Sequence, residues 1–291
     1  MLFGGIEAGG TKFVCAVGDE SGHIKEKVQF LTRTPDETME NVLTFFSTFN
    51  VNAVGIGSFG PIDVNPSSET YGFITSTPKT AWQHYPIKQT VEHALHVPVG
   101  FSTDVNSAAL GEISLGAAKG LDSCLYMTVG TGIGAGAIVK GHILDGLSHP
   151  EMGHILVRRH PDDRYLGACP FHQDCLEGLA SGPALEARWG KKGVELANQT
   201  EVWEIEAYYI AQALMQYMLI LSPKKVILGG GVMHQKQLFP LIQSKLVELI
   251  NGYIQLPVSL SDYIISPGLG NDSGIVGAIF LAKQAYEKLH P

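Results

Sequence analysis

The chain opens on a short apolar run broken by glycines, residues 3–8, followed by Gly9-Gly10-Thr11-Lys12 and a second run of small and β-branched residues through 17. Apolar runs of this length bounded by glycine read as two strands joined by a turn, and residues 24–31 supply a third. Pro35-Asp36-Glu37 opens a helix that the pattern carries through Phe46. Proline suits the first turn, and acids suit the positive end of the helix dipole. Residues 53–57 read as a short buried strand and 97–102 as another, with Asp104 just past its carboxyl end and a helix over 106–115. After Gly116-Ala117-Ala118-Lys119-Gly120, read as a hinge, the pattern restarts: strand 124–129, glycine turn 130–134, strand 135–139. Residues 145–182 are irregular and rich in His, Cys, Pro and Asp. Helix 201–221, strand 226–228, helix 233–250, strand 263–265 and helix 273–288 complete the chain. The second strand–glycine–strand unit echoes the first, which predicts a duplicated α/β architecture with one glycine hairpin in each half.

The longest apolar stretch, 205–221, is interrupted by Glu206, Gln212 and Gln216, so it reads as a buried helix and not as a membrane span. The 291 residues are 45% hydrophobic and 16% charged, which excludes a disordered chain. Glycine is in excess, 34 residues, and it clusters in loops. Twenty basic against 28 acidic residues leave a net charge of −8, a poor surface for gripping a phosphate backbone, so no nucleic-acid partner is expected. The start has no basic, apolar leader pattern, and the expectation is a soluble chain of the cytoplasm. Four cysteines are too few for a disulfide scaffold. In a reducing compartment the closely spaced Cys169 and Cys175 favour metal.

Gly5-Ile6-Glu7-Ala8-Gly9-Gly10-Thr11-Lys12 comes close to a P-loop, but its Gly-Thr-Lys order and the strand residues after it do not fit one. Glycines in a hairpin still let backbone N–H groups approach phosphate oxygens, with Thr11 and Lys12 adding a hydroxyl and a charge; the other reading is a plain turn. Gly130-Thr131-Gly132-Ile133-Gly134-Ala135 satisfies the Gly-x-Gly-x-x-Ala dinucleotide pattern, yet strand residues follow where that motif needs a helix. A second phosphate-contacting hairpin fits better. Gly229-Gly230-Gly231 after a strand, and the loop with Asn271 and Ser273 before a helix, add two more ligand-facing turns. Each alone is an ordinary turn; four in one α/β chain favour nucleotide binding.

Cys169-Pro170-Phe171-His172-Gln173-Asp174-Cys175 reads Cys-x2-His-x2-Cys, with His154 fifteen residues upstream. Two thiolates and two imidazoles suit a closed, tetrahedral, structural Zn²⁺ site, and His149 and His160 are also within reach as the upstream ligand. Cys15 and Cys124 sit in strand patterns and read as core. Asp104 on its own reads as a helix N-cap. Glu112 reads as a solvated helix position. Glu151 and Glu177 flank the metal segment, so the metal could orient a small polar ligand site.

Residues 4–12, Thr103-Asp104-Val105-Asn106 before a helix, residues 128–134, Glu151-Met152-Gly153-His154 and Gly229-Gly230-Gly231 together resemble the ROK family of sugar kinases and repressors, in the family's order and over nearly the whole chain. Cys169-Pro170-Phe171-His172, followed by Cys175-Leu176-Glu177-Gly178, resembles the bacterial ATP-dependent fructokinase branch of that family. The resemblance implies a two-domain actin-like, hexokinase-like (ribonuclease H-like) α/β fold with a cleft between domains. Residues 1–117 with 276–291 would form the smaller domain, and 118–275 the larger one with the zinc site. It implies Asp104 as catalytic base, and Thr103, Asn106, Glu151, His154 and Glu177 as the sugar-binding residues. ATP would be held by Glu7, Gly9, Gly10, Thr11, Lys12, Gly130, Thr131, Gly132, Gly229, Gly230, Gly231, Asn271 and Ser273. Mg²⁺ would bridge the terminal phosphates, structural Zn²⁺ would sit on His154, Cys169, His172 and Cys175, and the chain would form a homodimer. The implied reaction gives ADP and fructose 6-phosphate from ATP and D-fructose; a glucokinase, mannokinase or amino-sugar kinase is the near alternative.

Three departures from the family pattern bear on this. Glu7 stands where many members have Asp, Thr103 replaces an Asn, and the zinc motif is shorter and includes His172. A repressor needs a DNA-binding domain ahead of the fold, whereas the first loop here begins at Gly4 and the net charge is negative. The expectation is therefore an enzyme whose partners are a sugar and a nucleotide, with no nucleic acid and no membrane.

Overall fold

The computed structural model describes residues 1–290; Pro291, the last residue of the expected closing segment, lies outside them. The chain divides into two compact units. One comprises Met1–Gly120, His142–Pro150 and Gly268–Pro291, the other Leu121–Gly141 and Glu151–Pro267.

In the first unit β1 (Leu2–Ala8), β2 (Lys12–Asp19) and β3 (Ile24–Leu31) form an antiparallel meander. β4 (Ala53–Ser58) and β5 (Val99–Thr103) extend it in parallel, in the order β3-β2-β1-β4-β5. Strand β1 reads as a continuous apolar run because both faces of the sheet are covered. Ile6 and Ala8 enter one core cluster with Phe13, Phe46, Ile56 and Trp82, to which α1 (Pro35–Ser47) and α2 (Ile87–Leu95) contribute buried residues. Phe3 enters the other, with Ile275 and Ile279 of α9 (Ser273–Leu289). The strand period of two puts Glu7 on the Phe3 face, where its carboxylate meets the start of α9; a Cβ on Gly274 would lie 2.7 Å from it. Helix α9 presses directly on the sheet, since a Cβ on Gly55 would be 1.9 Å from the Ala278 carbonyl oxygen. Only glycine permits that approach.

Helix α3 (Asp104–Ser114) begins two residues earlier than the pattern predicts. Its cap is Thr103, whose hydroxyl accepts the Asn106 N–H at 3.1 Å. Glu112 is not solvated: it is fully buried. One of its oxygens accepts the N–H groups of Ala117 (2.7 Å) and Gly268 (2.9 Å). The other accepts the Leu269 N–H (3.0 Å) and the Ser273 hydroxyl (2.6 Å). A carboxylate offers about four acceptor sites, and four donors fill them, which offsets its burial. These bonds also tie Gly268 onward to α3. The expected boundary placed 268–275 with the other domain, whereas these residues belong to the first unit.

In the second unit β6 (Cys124–Val129) and β7 (Ile133–Val139) pair antiparallel. β8 (Val226–Gly229) and β9 (Ile264–Ile265) add in parallel, giving the order β9-β8-β6-β7. The irregular region holds two short helices, α4 (Leu176–Ala180) and α5 (Gly182–Trp189). They are followed by the long α6 (Thr200–Leu221), by α7 (Leu238–Ile250), which starts later than expected because residues 232–234 form a separate tight turn, and by the single turn α8 (Leu260–Tyr263). The polar interruptions of α6 have work to do. Gln212 accepts the Arg158 N–H at 2.9 Å and donates to its carbonyl at 3.0 Å, and Gln216 donates to the Leu156 carbonyl. They fasten the histidine- and cysteine-rich segment to the helix. Glu206 differs: it is fully buried, and neither oxygen has a hydrogen-bond partner among the described residues. Burial holds its carboxyl well above the usual range, with Arg188 pulling the other way. Among the described residues no helix is long and apolar enough to cross a membrane.

Candidate active site and metal centre

In the first unit the β1–β2 turn is closed by the Gly9 N–H donating to the Lys12 carbonyl at 3.0 Å, and Thr32 donates to the Gly9 carbonyl at 2.7 Å. Thr11 and Lys12 are exposed at its tip, and the Lys12 ammonium reaches Gln29. Lys79 runs alongside, because a Cβ on Gly10 would lie 3.0 Å from its Cε. Nothing in the sequence linked Lys79 to this turn, since nearly seventy residues separate them.

Asp104 is the first helical residue after β5 and accepts the Val105 N–H at 2.8 Å. The cap role that its own sequence position suggested belongs to Thr103. Asn106 is buried and donates to the Ser102 hydroxyl at 3.2 Å, so Thr103 and Asn106 are both engaged within the β5–α3 junction. Burial, with Asp104 nearby adding to it, pushes the Glu7 carboxyl up to about 7; Lys12 and Lys27 act the other way, and Lys27 is itself paired with Asp272 at 2.7 Å. The buried Glu7 carboxylate is a hard oxygen donor of the kind a divalent cation takes. Asn271 is exposed on the turn before α9, whereas Ser273 is buried and its hydroxyl is given to Glu112.

In the second unit the parallel neighbours β6 and β8 both end in glycine turns, at the carboxyl ends where α/β sheets bind ligands. The Gly130 N–H donates to the Gly132 carbonyl at 2.9 Å, and the Gly130 carbonyl accepts the Gly182 N–H at 2.7 Å. A Cβ on Gly130 would be 3.8 Å from the Gly231 nitrogen, and Gly230 takes a φ of +91° against the Val129 backbone. Thr131 is exposed at the tip. Gly182, absent from the sequence-based set, completes this backbone cradle; the Ser181-Gly182-Pro183 helix start was the available signal.

His154, Cys169, His172 and Cys175 converge, with their ligand atoms all within 4.8 Å of one another. The Cys175 sulfur is 3.5 Å and the Cys169 sulfur 3.8 Å from His154 Nδ1, and Cys169 is 3.8 Å from His172 Nδ1. A tetrahedral Zn²⁺ with ordinary bond lengths spaces sulfur and nitrogen ligands about 3.6 Å apart, so the four groups fit that ion. Burial pushes the Cys175 thiol up to about 11, and a bound cation would reverse that shift. The upstream alternatives fall away. His149 Nε2 accepts the Ile62 N–H at 3.0 Å, and His160 Nδ1 accepts the Asp162 N–H at 3.2 Å.

The His/Cys cluster is joined to the glycine hairpin through Glu177. One Glu177 oxygen is 4.0 Å from His154 Nε2, and the other accepts the Ile133 N–H at 2.9 Å. The turn carrying His154 rests on the same residue, since a Cβ on Gly153 would be 1.7 Å from the Ile133 carbonyl oxygen. Glu151 is exposed at the head of that turn.

The sequence model of the ROK family matches residues 3–285. The chain belongs to the ROK family. A protein of Bacillus subtilis (strain 168) is 62% identical over 289 residues, covering 98% of this chain and 97% of its own length. A fructokinase of Pediococcus pentosaceus is 48% identical over 285 residues, covering 98% of this chain and 99% of its own. Among solved structures, a ROK family glucokinase from Streptomyces griseus in complex with glucose and AMPPNP is 28% identical, with a TM-score of 0.77 over 98% of this chain and all of that one. This ROK protein has the hexokinase-like, two-domain α/β fold that the motif order implied.

Proposed function

We propose that this ROK protein is an ATP-dependent fructokinase, converting ATP and D-fructose to ADP and fructose 6-phosphate. The observation that carries the reading is its 48% identity, over 98% of its length, to a protein named fructokinase. Phosphoryl transfer is chiefly positioning and charge stabilisation. Asp104 accepts the proton of the primary hydroxyl as that oxygen bonds to the terminal phosphorus and the bond to the ADP oxygen breaks. The N–H groups of Gly10, Thr131, Gly132, Gly230 and Gly231, with Thr11, Lys12 and Asn271, suit phosphate oxygens, while those of Gly9 and Gly130 close their own turns. Glu151, His154 and Glu177 suit sugar hydroxyls, while Thr103 and Asn106 aim Asp104 by holding its junction.

Two metals belong to this reading. Mg²⁺, when bound, neutralises charge on the terminal phosphates, and Glu7 would supply a protein oxygen for it. His154, Cys169, His172 and Cys175 would hold a structural Zn²⁺, which lends rigidity to the segment from Glu151 to Glu177. The family resemblance also brings a homodimer and a cytoplasmic setting into the proposal.

A coupled ADP-release assay over a hexose panel tests the substrate. D-fructose is expected to give the highest kcat/KM, because a site built on particular hydroxyls rejects analogues strongly. A higher value with glucose, mannose or an N-acetylated amino sugar would move the substrate and leave the kinase. ADP release with no sugar at all would overturn both.

A further inference from the structure

We propose that Glu112 is a positioning residue for the transfer step. Its carboxylate clamps the segment by which the chain leaves the first unit to the segment by which it returns, and through that clamp it fixes Asp104 and Glu7 in one frame. The chain changes unit at four points, and Glu112 serves two of them: Ala117, just ahead of the Gly120 boundary, and Gly268, the first residue back. The partners are far apart in sequence, Gly268 standing 156 positions after Glu112. The fit is tight. A Cβ on Gly116 would lie 2.2 Å from the Glu112 carboxylate, and a Cβ on Gly268 would lie 2.6 Å from the Ala117 nitrogen.

From this point two arms run to the acidic residues. Helix α3 runs unbroken from Asp104 to Glu112. In the other direction the Ser273 hydroxyl binds the same carboxylate at 2.6 Å and starts α9. The next residue, Gly274, lies against the Glu7 carboxylate, and its carbonyl accepts the Ser107 hydroxyl of α3 at 2.8 Å. The residue must be an acid because three of its four partners are backbone N–H groups. An amide would turn one oxygen into a donor, and in either orientation at least one part-buried N–H would lose its acceptor.

The kinetic half of this inference rests on the function proposed above; the structural half does not. The experiment combines hydrogen exchange with steady-state kinetics on the full-length Glu112→Gln protein, using fructose and ATP. The amides of Ala117, Gly268 and Leu269 are expected to exchange at least about tenfold faster, while those of β2 and β4 keep wild-type rates. The turnover number kcat should fall about tenfold or more, with both KM values within roughly threefold, as for a group that acts on the transition state through others. Ser273→Ala, which removes one donor of the four, should show the same pattern more weakly and decides the matter where Glu112→Gln does not fold. Exchange that rises evenly through the unit, exchange that does not change, or faster passages with wild-type kcat would each overturn the proposal. If the unaltered protein phosphorylates no sugar, the functional reading fails on its own and local exchange alone decides whether the clamp exists.

Discussion

Thr103 and Asp104 are adjacent, and both residue types cap helices well, yet the fold gives the cap to Thr103. Asp104→Asn therefore separates chemistry from architecture. Size and junction are kept, so the melting temperature should barely move. Proton acceptance is lost, and kcat should fall by about 10²- to 10⁴-fold while sugar and nucleotide Kd values stay within several-fold. Near-wild-type turnover would leave the mechanism without a base. The position of Asp104 at the end of a strand was legible, because a strand pattern followed by a helix pattern is local information. Which of the two neighbours caps was not, since it depends on the backbone angle at which the chain turns into α3.

The metal segment shows the same division one level up. Three of its groups lie within seven residues, so Cys-x2-His-x2-Cys could be read without a fold. The choice of His154 over His149 and His160 could not, because those two imidazoles are taken by backbone N–H groups that only the folded chain brings to them. Cys175→Ser is expected to lower the zinc content from one ion per chain to near zero, measured by elemental analysis. A loss of about 4–5 kcal/mol, the size that removal of a bound metal reaches, at roughly 2–4 °C per kcal/mol for a domain of this size, lowers the melting temperature by about 8–20 °C. Zinc that stays at one per chain in this variant would remove Cys175 from the ligand set. Helix α6 makes a related point. Its glutamines looked like interruptions of an apolar face, and they are the hydrogen-bond anchors of the metal segment.

At the scale of the whole molecule, stability should depend on pH through Glu206. Its carboxyl titrates well above the usual range in the folded chain, chiefly because it is buried. An unfolded glutamate has a pKa of about 4.3, so folding loses stability as the pH rises from there toward the raised folded value. Glu206→Gln carries no such charge. The difference in melting temperature between this variant and wild type should shift in the variant's favour from pH 5 to pH 8; a constant difference would show that Glu206 does not titrate in that way. Most of the strand, turn and helix order, the duplicated α/β plan, the glycine turns and the spacing of the Cys/His motif were determined by sequence alone, whereas α2, α4 and α5 were not. Each of the former rests on residues close together in the chain, where periodicity and backbone preference act directly. Glu112 and Lys79 were not within its reach. Glu112 looked like any charged helix residue until α9 and the Gly268 loop, more than 150 residues away, supplied the donors that make its burial stable. Only tertiary structure decides such groups, because the free energy of a buried charge depends on partners that the chain brings together by folding.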